Sequence, residues 1–165
     1  MNKQEDYLYL AYKRFADDED ELAKAYFLAA IEDDPYNSEI YYFLSYICEK
    51  KQNYIDAIEY LEKAIDLNPK AEYFSRLAYI KEHKTHDVLG ALEDLNTAIE
   101  LAPTKYFYVF DRFNLYWKLL MYDEIFKDLD LLIERDPWNK LTTLLSLRAV
   151  IEDELLDSLK THKDI

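Results

Sequence analysis

Three histidines, one cysteine and many carboxylates are the side chains of this sequence that could support catalysis or bind a metal. His83 and His86 lie three residues apart, Asp87 follows them, and His162 lies near the end of the sequence. A structural zinc site usually has four ligands, and no cysteine or further histidine accompanies this pair. All three histidines fall in a predicted turn or in the tail. We therefore expect a solvated loop here and predict no metal site.

Motifs for nucleophilic or cofactor chemistry are missing from the sequence. There is no glycine-rich phosphate-binding loop and no Gly-x-Ser-x-Gly turn. The single cysteine, Cys48, cannot form an internal disulfide, and its place on the core side of a predicted helix suits a buried thiol. Carboxylates on exposed helical faces mostly serve solubility. We predict that the chain is not an enzyme and binds no cofactor.

The charge balance narrows the class of partner. The sequence has 34 Asp and Glu against 20 Lys and Arg, a formal net charge of −14 and a pI of about 4.6. Such a charge repels nucleic acid phosphates and anionic lipid surfaces, so we expect neither as a partner. Acidic runs occur at residues 17–21 and 32–34. They suit either a solvated surface or the attraction of a basic partner.

Features that would direct the chain to a membrane or to secretion are not seen. No stretch approaches the 18 or so uncharged apolar residues that a membrane-spanning helix needs. Residues 1–6 include Glu5 and Asp6 and lack the apolar segment of a secretory signal. We expect a cytoplasmic protein.

The four prolines set the spacing of the elements that position these side chains. Pro35, Pro69, Pro103 and Pro137 are each 34 residues from the next. A fixed period of this length is typical of stacked helical hairpins. With half of its residues apolar, the chain can bury a continuous core. The sequence therefore predicts an all-α array of repeats.

Residues 38–71 show the pattern of one repeat most clearly. Apolar and small residues recur at helical spacing in two stretches, with Asn53 between them and Pro69 ending the second, because proline cannot donate the next helical hydrogen bond. The first stretch contains Tyr41, Leu44, Ser45 and Cys48, and the second contains Ala57, Ile58, Leu61, Ala64 and Ile65. This pattern predicts a helical hairpin.

The aromatic, small and proline positions resemble the tetratricopeptide repeat. Tyr41 stands where that family has a large aromatic residue, and Leu44 and Ser45 stand for its Leu-Gly pair. The second helix matches at Ala57, Leu61, Ala64 and Pro69, whereas Cys48 replaces the usual tyrosine. The resemblance implies a single domain, an α-solenoid of four hairpins in a right-handed superhelix. Their approximate bounds are 4–37, 38–71, 72–105 and 106–139, with a C-terminal capping helix at 140–160.

Two repeats depart from the pattern. In the third, the first-helix residues Phe74, Leu77 and Ala78 lie one residue early, and we expect one extra residue in the turn near residues 83–87. Gly90 falls inside the predicted second helix, where it costs about 1 kcal/mol relative to alanine, and we expect close helix packing to compensate. In the fourth repeat, larger residues occupy the small positions, which predicts wider helix spacing or altered curvature at this end. These are Phe113, Ile125 and Leu132.

The resemblance also implies a binding surface. In tetratricopeptide proteins the first helices of the repeats line a concave groove that typically binds an extended or helical peptide. Carried onto this sequence, the predicted partner-binding groove contains Tyr12, Tyr42, Tyr46, Arg76, Tyr79, Phe110 and Asn114. We expect these positions to be exposed; the alternative is that several rings pack between neighbouring helices.

One well-defined partner class can be tested on the residues. Co-chaperones of this family grip a C-terminal carboxylate with two lysines, one arginine and two asparagines. The corresponding positions here include Leu8, Tyr12, Phe43 and Glu72, and only Arg76 matches. We therefore predict a scaffold that binds a protein or peptide without such a clamp. The alternatives are a homo-oligomer formed by self-assembly and a chaperone for a basic partner.

Overall fold

A computed structural model describes residues 3–135 and 149–153 of the chain, which divides into two compact units, residues 1–101 and 102–165. The described residues are mostly helical, with no strand among them. The first unit contains α1 (Lys3–Ala16), α2 (Asp20–Asp33), α3 (Ser38–Lys50), α4 (Tyr54–Leu67), α5 (Ala71–Ile80) and α6 (Val88–Leu101). The second contains α7 (Tyr106–Lys118) and α8 (Tyr122–Arg135).

Consecutive helices pair into hairpins. In the first unit α1 packs on α2, α3 on α4 and α5 on α6, and neighbouring hairpins meet through α2 with α3 and α4 with α5. In the second unit α7 packs on α8. The predicted all-α solenoid is confirmed. Its handedness and the bounds of a single domain stay predictions.

Small residues let the paired helices of the first unit approach each other. Each hairpin buries small residues at one corresponding position of its first helix and at two of its second. They are Ala11, Ala23 and Ala30, then Ser45, Ala57 and Ala64, then Ala78, Ala91 and Ala98. The corresponding residues of the second unit, Phe113, Ile125 and Leu132, are also buried. Wider helix spacing there stays a prediction.

The turn inside every hairpin contains one residue in the left-handed backbone region. Asp18, Gln52, His86 and Leu120 have φ values of 60°, 61°, 59° and 54°. They are 34 residues apart, like the prolines. Glycine adopts this conformation without strain, yet none of the four is glycine. The repeat therefore specifies the turn geometry even where the side chain does not favour it.

The extra residue of the third hairpin is not in a loop, as the sequence analysis expected. Helix α5 continues as a π-helical turn at Lys81–Thr85, and His86 then reverses the chain. The wider π turn takes up one additional residue within the helix. The backbone N–H of Asp87 donates to the carbonyl of Lys81 at 2.8 Å, which closes this turn.

The compensation expected for Gly90 is also different. Asp87 directly precedes α6, and its Oδ1 accepts a hydrogen bond from the backbone N–H of Gly90 at 3.0 Å. A Cβ on Gly90 would clash with the carboxylate of Asp87, and no atom of a neighbouring helix lies as close. Gly90 therefore makes room for a capping carboxylate rather than for a neighbouring helix.

The predicted capping helix at 140–160 lies mostly outside the described residues. Within it, residues 149–153 are helical, and Ile151 is fully buried. Among the described residues, no helix is long and apolar enough to cross a membrane.

Candidate functional site

Aromatic rings join the first helices of the first two hairpins. Tyr12 of α1 meets Phe43 of α3 edge to face, with ring centroids 5.0 Å apart. Phe15 lies one turn further along α1. Its ring also contacts Phe43 and Tyr46, with centroids 5.1 Å and 5.5 Å apart. Edge-to-face contacts at these distances are favourable for aromatic pairs. The rings of α1 and α3 thus form one connected layer.

Arg76 extends this layer to the third hairpin. Its guanidinium lies 4.3 Å from the ring centroid of Tyr46 on α3 and 5.7 Å from that of Tyr79 on its own helix. Arg76 Nε is 2.8 Å from Glu49 Oε2, an ion pair without hydrogen-bond geometry. Tyr79 in turn stacks on the ring of His83 at 4.5 Å. Arg76 therefore links two tyrosines and a carboxylate from neighbouring hairpins.

A second bridge between α3 and α5 is formed by Tyr42 and Tyr73. Their rings stack with centroids 4.8 Å apart. Tyr73 is fully buried, and its hydroxyl lies 3.3 Å from Ser38 Oγ. The repeat pattern predicts Phe74 among the core residues of this helix, whereas Tyr73 was not predicted. The spacing of Tyr73, Leu77 and Ile80 is itself helical and could have revealed this buried side.

We call the connected residues of α1, α3 and α5 the aromatic face. It consists of Tyr12, Phe15, Tyr42, Phe43, Tyr46, Arg76 and Tyr79. Five of the seven predicted groove residues belong to it. Phe43 connects the tyrosines together with Phe15, which the prediction left out.

Three of these residues are less exposed than the predicted groove would have them, in line with the alternative of packing between helices. Tyr12, Tyr42 and Tyr46 are half-buried because their rings pack against neighbouring rings and Arg76. Tyr79 is 40% exposed. The alternative of packing between helices therefore holds in part, because each ring packs against its neighbours and is still partly exposed to solvent.

The hydroxyls of Tyr12 and Tyr42 remain protonated at neutral pH. Burial raises the pKa of Tyr12 to about 12, and Glu39, whose Oε2 accepts from the hydroxyl at 3.5 Å, adds to the increase. Burial also raises the pKa of Tyr42, with Arg76 acting in the opposite direction and Glu72 in the same one. The face thus offers neutral hydroxyls that can donate or accept hydrogen bonds.

The other two predicted groove residues lie in the second unit. Phe110 and Asn114 are exposed on α7, where Phe110 stacks on Phe113 at 6.2 Å. Phe107 and Trp117 share this side at helical spacing and are also partly exposed. They form an apolar strip of their own on α7.

Groups with potential for metal binding or nucleophilic chemistry have other surroundings. Among the described residues, no three His, Cys, Asp or Glu are grouped so that they could hold a metal ion. His83 Nδ1 lies 3.1 Å from the carbonyl oxygen of Tyr79. Cys48 is buried, and burial raises the pKa of its thiol. A raised pKa lowers the fraction of the reactive thiolate.

Similarity to a known family is found within the second hairpin. A sequence profile described as "Tetratricopeptide repeat" matches residues 38–70, which is α3, α4 and the turn between them. The flanking hairpins repeat the same arrangement at the same period. The chain therefore contains one hairpin that matches a tetratricopeptide repeat in sequence, within an array of hairpins of the same fold.

Solved structures superpose on this one, among them proteins whose descriptions name tetratricopeptide repeats. MamA matches with a TM-score of 0.71 and 20% identity, covering 81% of this chain and 73% of its own. YrrB, described as having an unusual peptide-binding site, matches with a TM-score of 0.68 and 25% identity over 79% and 68%. The first tetratricopeptide domain of Spaghetti (RPAP3), bound to the HSP90 peptide SRMEEVD, matches with a TM-score of 0.64 and 17% identity. This match covers 72% of this chain and 96% of that domain.

Among curated proteins, none is similar enough in sequence to count as a relative. These similarities define the fold of the chain and leave its partner undefined.

Proposed function

We propose that this protein is a non-catalytic interaction module whose aromatic face binds a peptide or a partner helix. The observation that carries the proposal is the continuity of the face: rings and one guanidinium connect α1, α3 and α5 without interruption. An extended or helical segment laid across the three helices would contact all of them at once.

The residue types of the face suit such binding. A tyrosine combines a large apolar ring with a hydroxyl, and aromatic residues are enriched at the centres of interfaces. Because these rings already pack against one another, they lose little conformational freedom when a partner binds. Tyr79 is the most exposed of the four tyrosines and is therefore the residue we expect a partner to contact most.

Peptide binding by proteins of similar structure supports the proposal. YrrB, at 25% identity, has a peptide-binding site by its own description. The RPAP3 domain binds an acidic peptide, but this chain does not place a matching set of cations on its face. Its Arg76 is held by Glu49, and Glu72 stands where the clamp has a lysine. We therefore do not propose a carboxylate clamp.

A second candidate function is self-assembly, and the strip on α7 favours it. Phe107, Phe110 and Trp117 are exposed together with Leu120 and Met121 at the end of the helix. Exposed apolar groups of this kind are common at interfaces between copies. A molar mass that rises with concentration, and returns to that of a monomer in Phe110→Ser, would support this candidate. The predicted cytoplasmic location stays a prediction.

The test of the first proposal compares two tyrosines of the face with a tyrosine outside it. Affinity capture from the lysate of the source cell uses the wild type, Tyr46→Ala/Tyr79→Ala and Tyr36→Ala. Tyr36 is 79% exposed in the turn after α2 and is the matched control. We expect one captured protein to be lost with the double variant and retained with the control. Equal capture by all three folded proteins would show that the aromatic face is not the binding site.

A further inference from the structure

We infer that the segment bound by the aromatic face is basic, with lysine or arginine next to apolar side chains. The inference rests on the proposed function of the face and adds the chemistry of its partner. It depends on three observations: the position of the acidic residues, the ion pairs that the lysines and arginines near the face already make, and the cation–ring contacts of the tyrosines.

The acidic charge is concentrated in the unit that contains the face. Residues 1–101 have 22 Asp and Glu against 11 Lys and Arg, a formal net charge of −11 out of the −14 of the whole chain. A field of one sign over such a unit attracts ligands of the opposite sign and speeds their association. An acidic partner would be repelled by the same field.

Carboxylates lie directly beside the rings of the face. Glu39 accepts from the hydroxyl of Tyr12, and Glu49 lies against Arg76 above Tyr46. Glu72 is exposed in the first turn of α5 and acts on the pKa of Tyr42. The rings are thus flanked by glutamates from two of the three helices that build the face.

Several cations around the face already have carboxylate partners within the chain, whereas Lys84 Nζ lies 6.0 Å from the ring centroid of Tyr79. Arg76 is paired with Glu49, and Lys70 Nζ donates to Glu39 Oε1 at 2.9 Å. At the end of α3, Lys50 bonds both Asp18 and Asp20, and Lys51 bonds Glu21. A partner's carboxylate would have to displace one of these internal partners. A partner's lysine or arginine would instead meet the surplus of negative charge.

The tyrosines of this unit also show that they accept cations on their ring faces. Besides Arg76 over Tyr46, Lys70 Nζ lies 5.3 Å from the ring centroid of Tyr73, and Lys84 Nζ lies 5.6 Å from that of Tyr54. A cation over an aromatic face is attracted by the negative charge density of the ring. Basic side chains of a partner can use the exposed part of Tyr79 in the same way.

The test uses two fluorescent amphipathic peptides of equal length with the same leucine-rich side. One has lysines on its polar side and the other has glutamates. Their binding to the full chain is measured by fluorescence anisotropy at low and at physiological salt. We expect the lysine peptide to bind at least about tenfold more tightly, and the difference to narrow as salt increases. Equal affinities, or no binding by the lysine peptide, would overturn the inference.

Two charge reversals locate the effect. Glu72→Lys changes the face, whereas Glu62→Lys makes the same change in net charge at an exposed position on α4. We expect Glu72→Lys to weaken binding of the lysine peptide several-fold more than Glu62→Lys does. The milder Glu72→Gln should give an effect of the same sign, which keeps the test valid if the reversal disturbs α5. Equal weakening by both reversals would mean that only the overall charge acts, and would contradict the inference.

Tyr79→Ala separates this inference from the proposed function. If the glutamate peptide binds at least as well as the lysine peptide and Tyr79→Ala weakens it, the face binds peptides but the basic chemistry is wrong. If the lysine peptide binds and Tyr79→Ala leaves its affinity unchanged, the aromatic face is not the site, and both proposals fail together.

Discussion

The first three hairpins and the fourth follow the same period but fill corresponding positions differently. In the second hairpin, Leu44 is fully buried and Tyr60 half-buried. Sixty-eight residues later, two periods along the chain, the same positions hold Arg112 and Asp128. Asp128 is almost fully buried, and its Oδ2 accepts from Arg112 Nε at 3.0 Å.

This difference begins in the third hairpin. There Asp94 already replaces the tyrosine and pairs with Lys81 at 2.7 Å, although Leu77 keeps the apolar position of Leu44. The comparison teaches that the period determines the backbone, since turns and helix bounds recur, while side-chain chemistry varies from hairpin to hairpin. The first unit joins its hairpins with rings, and the second joins its two helices with a buried ion pair.

The largest expected effect is at the ring that bridges α3 and α5. Tyr73→Ala removes a fully buried side chain together with its stacking on Tyr42, and we expect a loss of about 4 kcal/mol in the free energy of unfolding. Tyr73→Phe removes only the contact of the hydroxyl with Ser38 and should cost about 1 kcal/mol. Urea unfolding followed by circular dichroism measures both. A loss below that of Tyr73→Phe in the alanine variant would contradict this assignment.

The ion pair of the second unit gives the next effect. Arg112→Leu leaves the buried carboxylate of Asp128 without its cation, and we expect a loss of about 3 kcal/mol. The double variant Arg112→Leu/Asp128→Tyr installs the residues of the second hairpin and should recover most of this loss. Tryptophan fluorescence follows this unit, because both tryptophans lie in residues 102–165. A double variant less stable than the single one would show that the hairpins are not interchangeable.

The pH dependence of Arg112→Leu sharpens the same comparison. Burial raises the pKa of Asp128 even though the guanidinium of Arg112 lowers it, so removing the guanidinium raises this pKa further. A carboxyl with a raised folded-state pKa stabilises the fold below its unfolded pKa, and this stability is lost as pH rises through the folded value. When the pH is lowered from 7 to 4, the free energy of unfolding of the variant should therefore rise by about 1 kcal/mol relative to that of the wild type. An equal loss in the free energy of unfolding at both pH values would contradict this explanation.

Turn residues provide a smaller effect with opposite sign. Leu120 is exposed, and its backbone lies in the left-handed region. Leu120→Gly therefore relieves backbone strain without losing buried area, and we expect it to stabilise the fold by about 1 kcal/mol. Asp18→Gly in the first hairpin should be near neutral, since aspartate tolerates this conformation better and its ion pair with Lys50 is lost. Thermal unfolding of the two variants tests this. Destabilisation by Leu120→Gly would argue against the turn geometry.

The smallest effect is expected at Gly90. Gly90→Ala improves helix propensity by about 1 kcal/mol but pushes against the capping carboxylate of Asp87, whose loss costs a similar amount. The two terms should cancel to within about 0.5 kcal/mol in urea unfolding. In Asp87→Ala the cap is already absent, so the same glycine replacement should then be stabilising.

The sequence was sufficient to predict the hairpins because the prolines and small residues recur at one period, and buried alanines leave few alternatives for helix packing. It was insufficient for the π turn, because an added residue can enter a loop or a helix with the same spacing. The exposure of Tyr42 could not be read either, since it depends on stacking against Tyr73 in another hairpin. Residue type and spacing locate a side chain on a helix face, but only the neighbouring helix decides how much of it is covered.

The most direct measurement of the central claim is photo-crosslinking from the aromatic face. Benzoylphenylalanine replaces Tyr79 in one variant and Tyr36 in another, both exposed tyrosines of the first unit. The chains are irradiated with the lysine peptide, and the products are identified by mass spectrometry. Our account predicts a crosslinked peptide at position 79 and little or none at position 36. A product at position 36 as abundant as that at position 79 would contradict the claim that the aromatic face binds the partner.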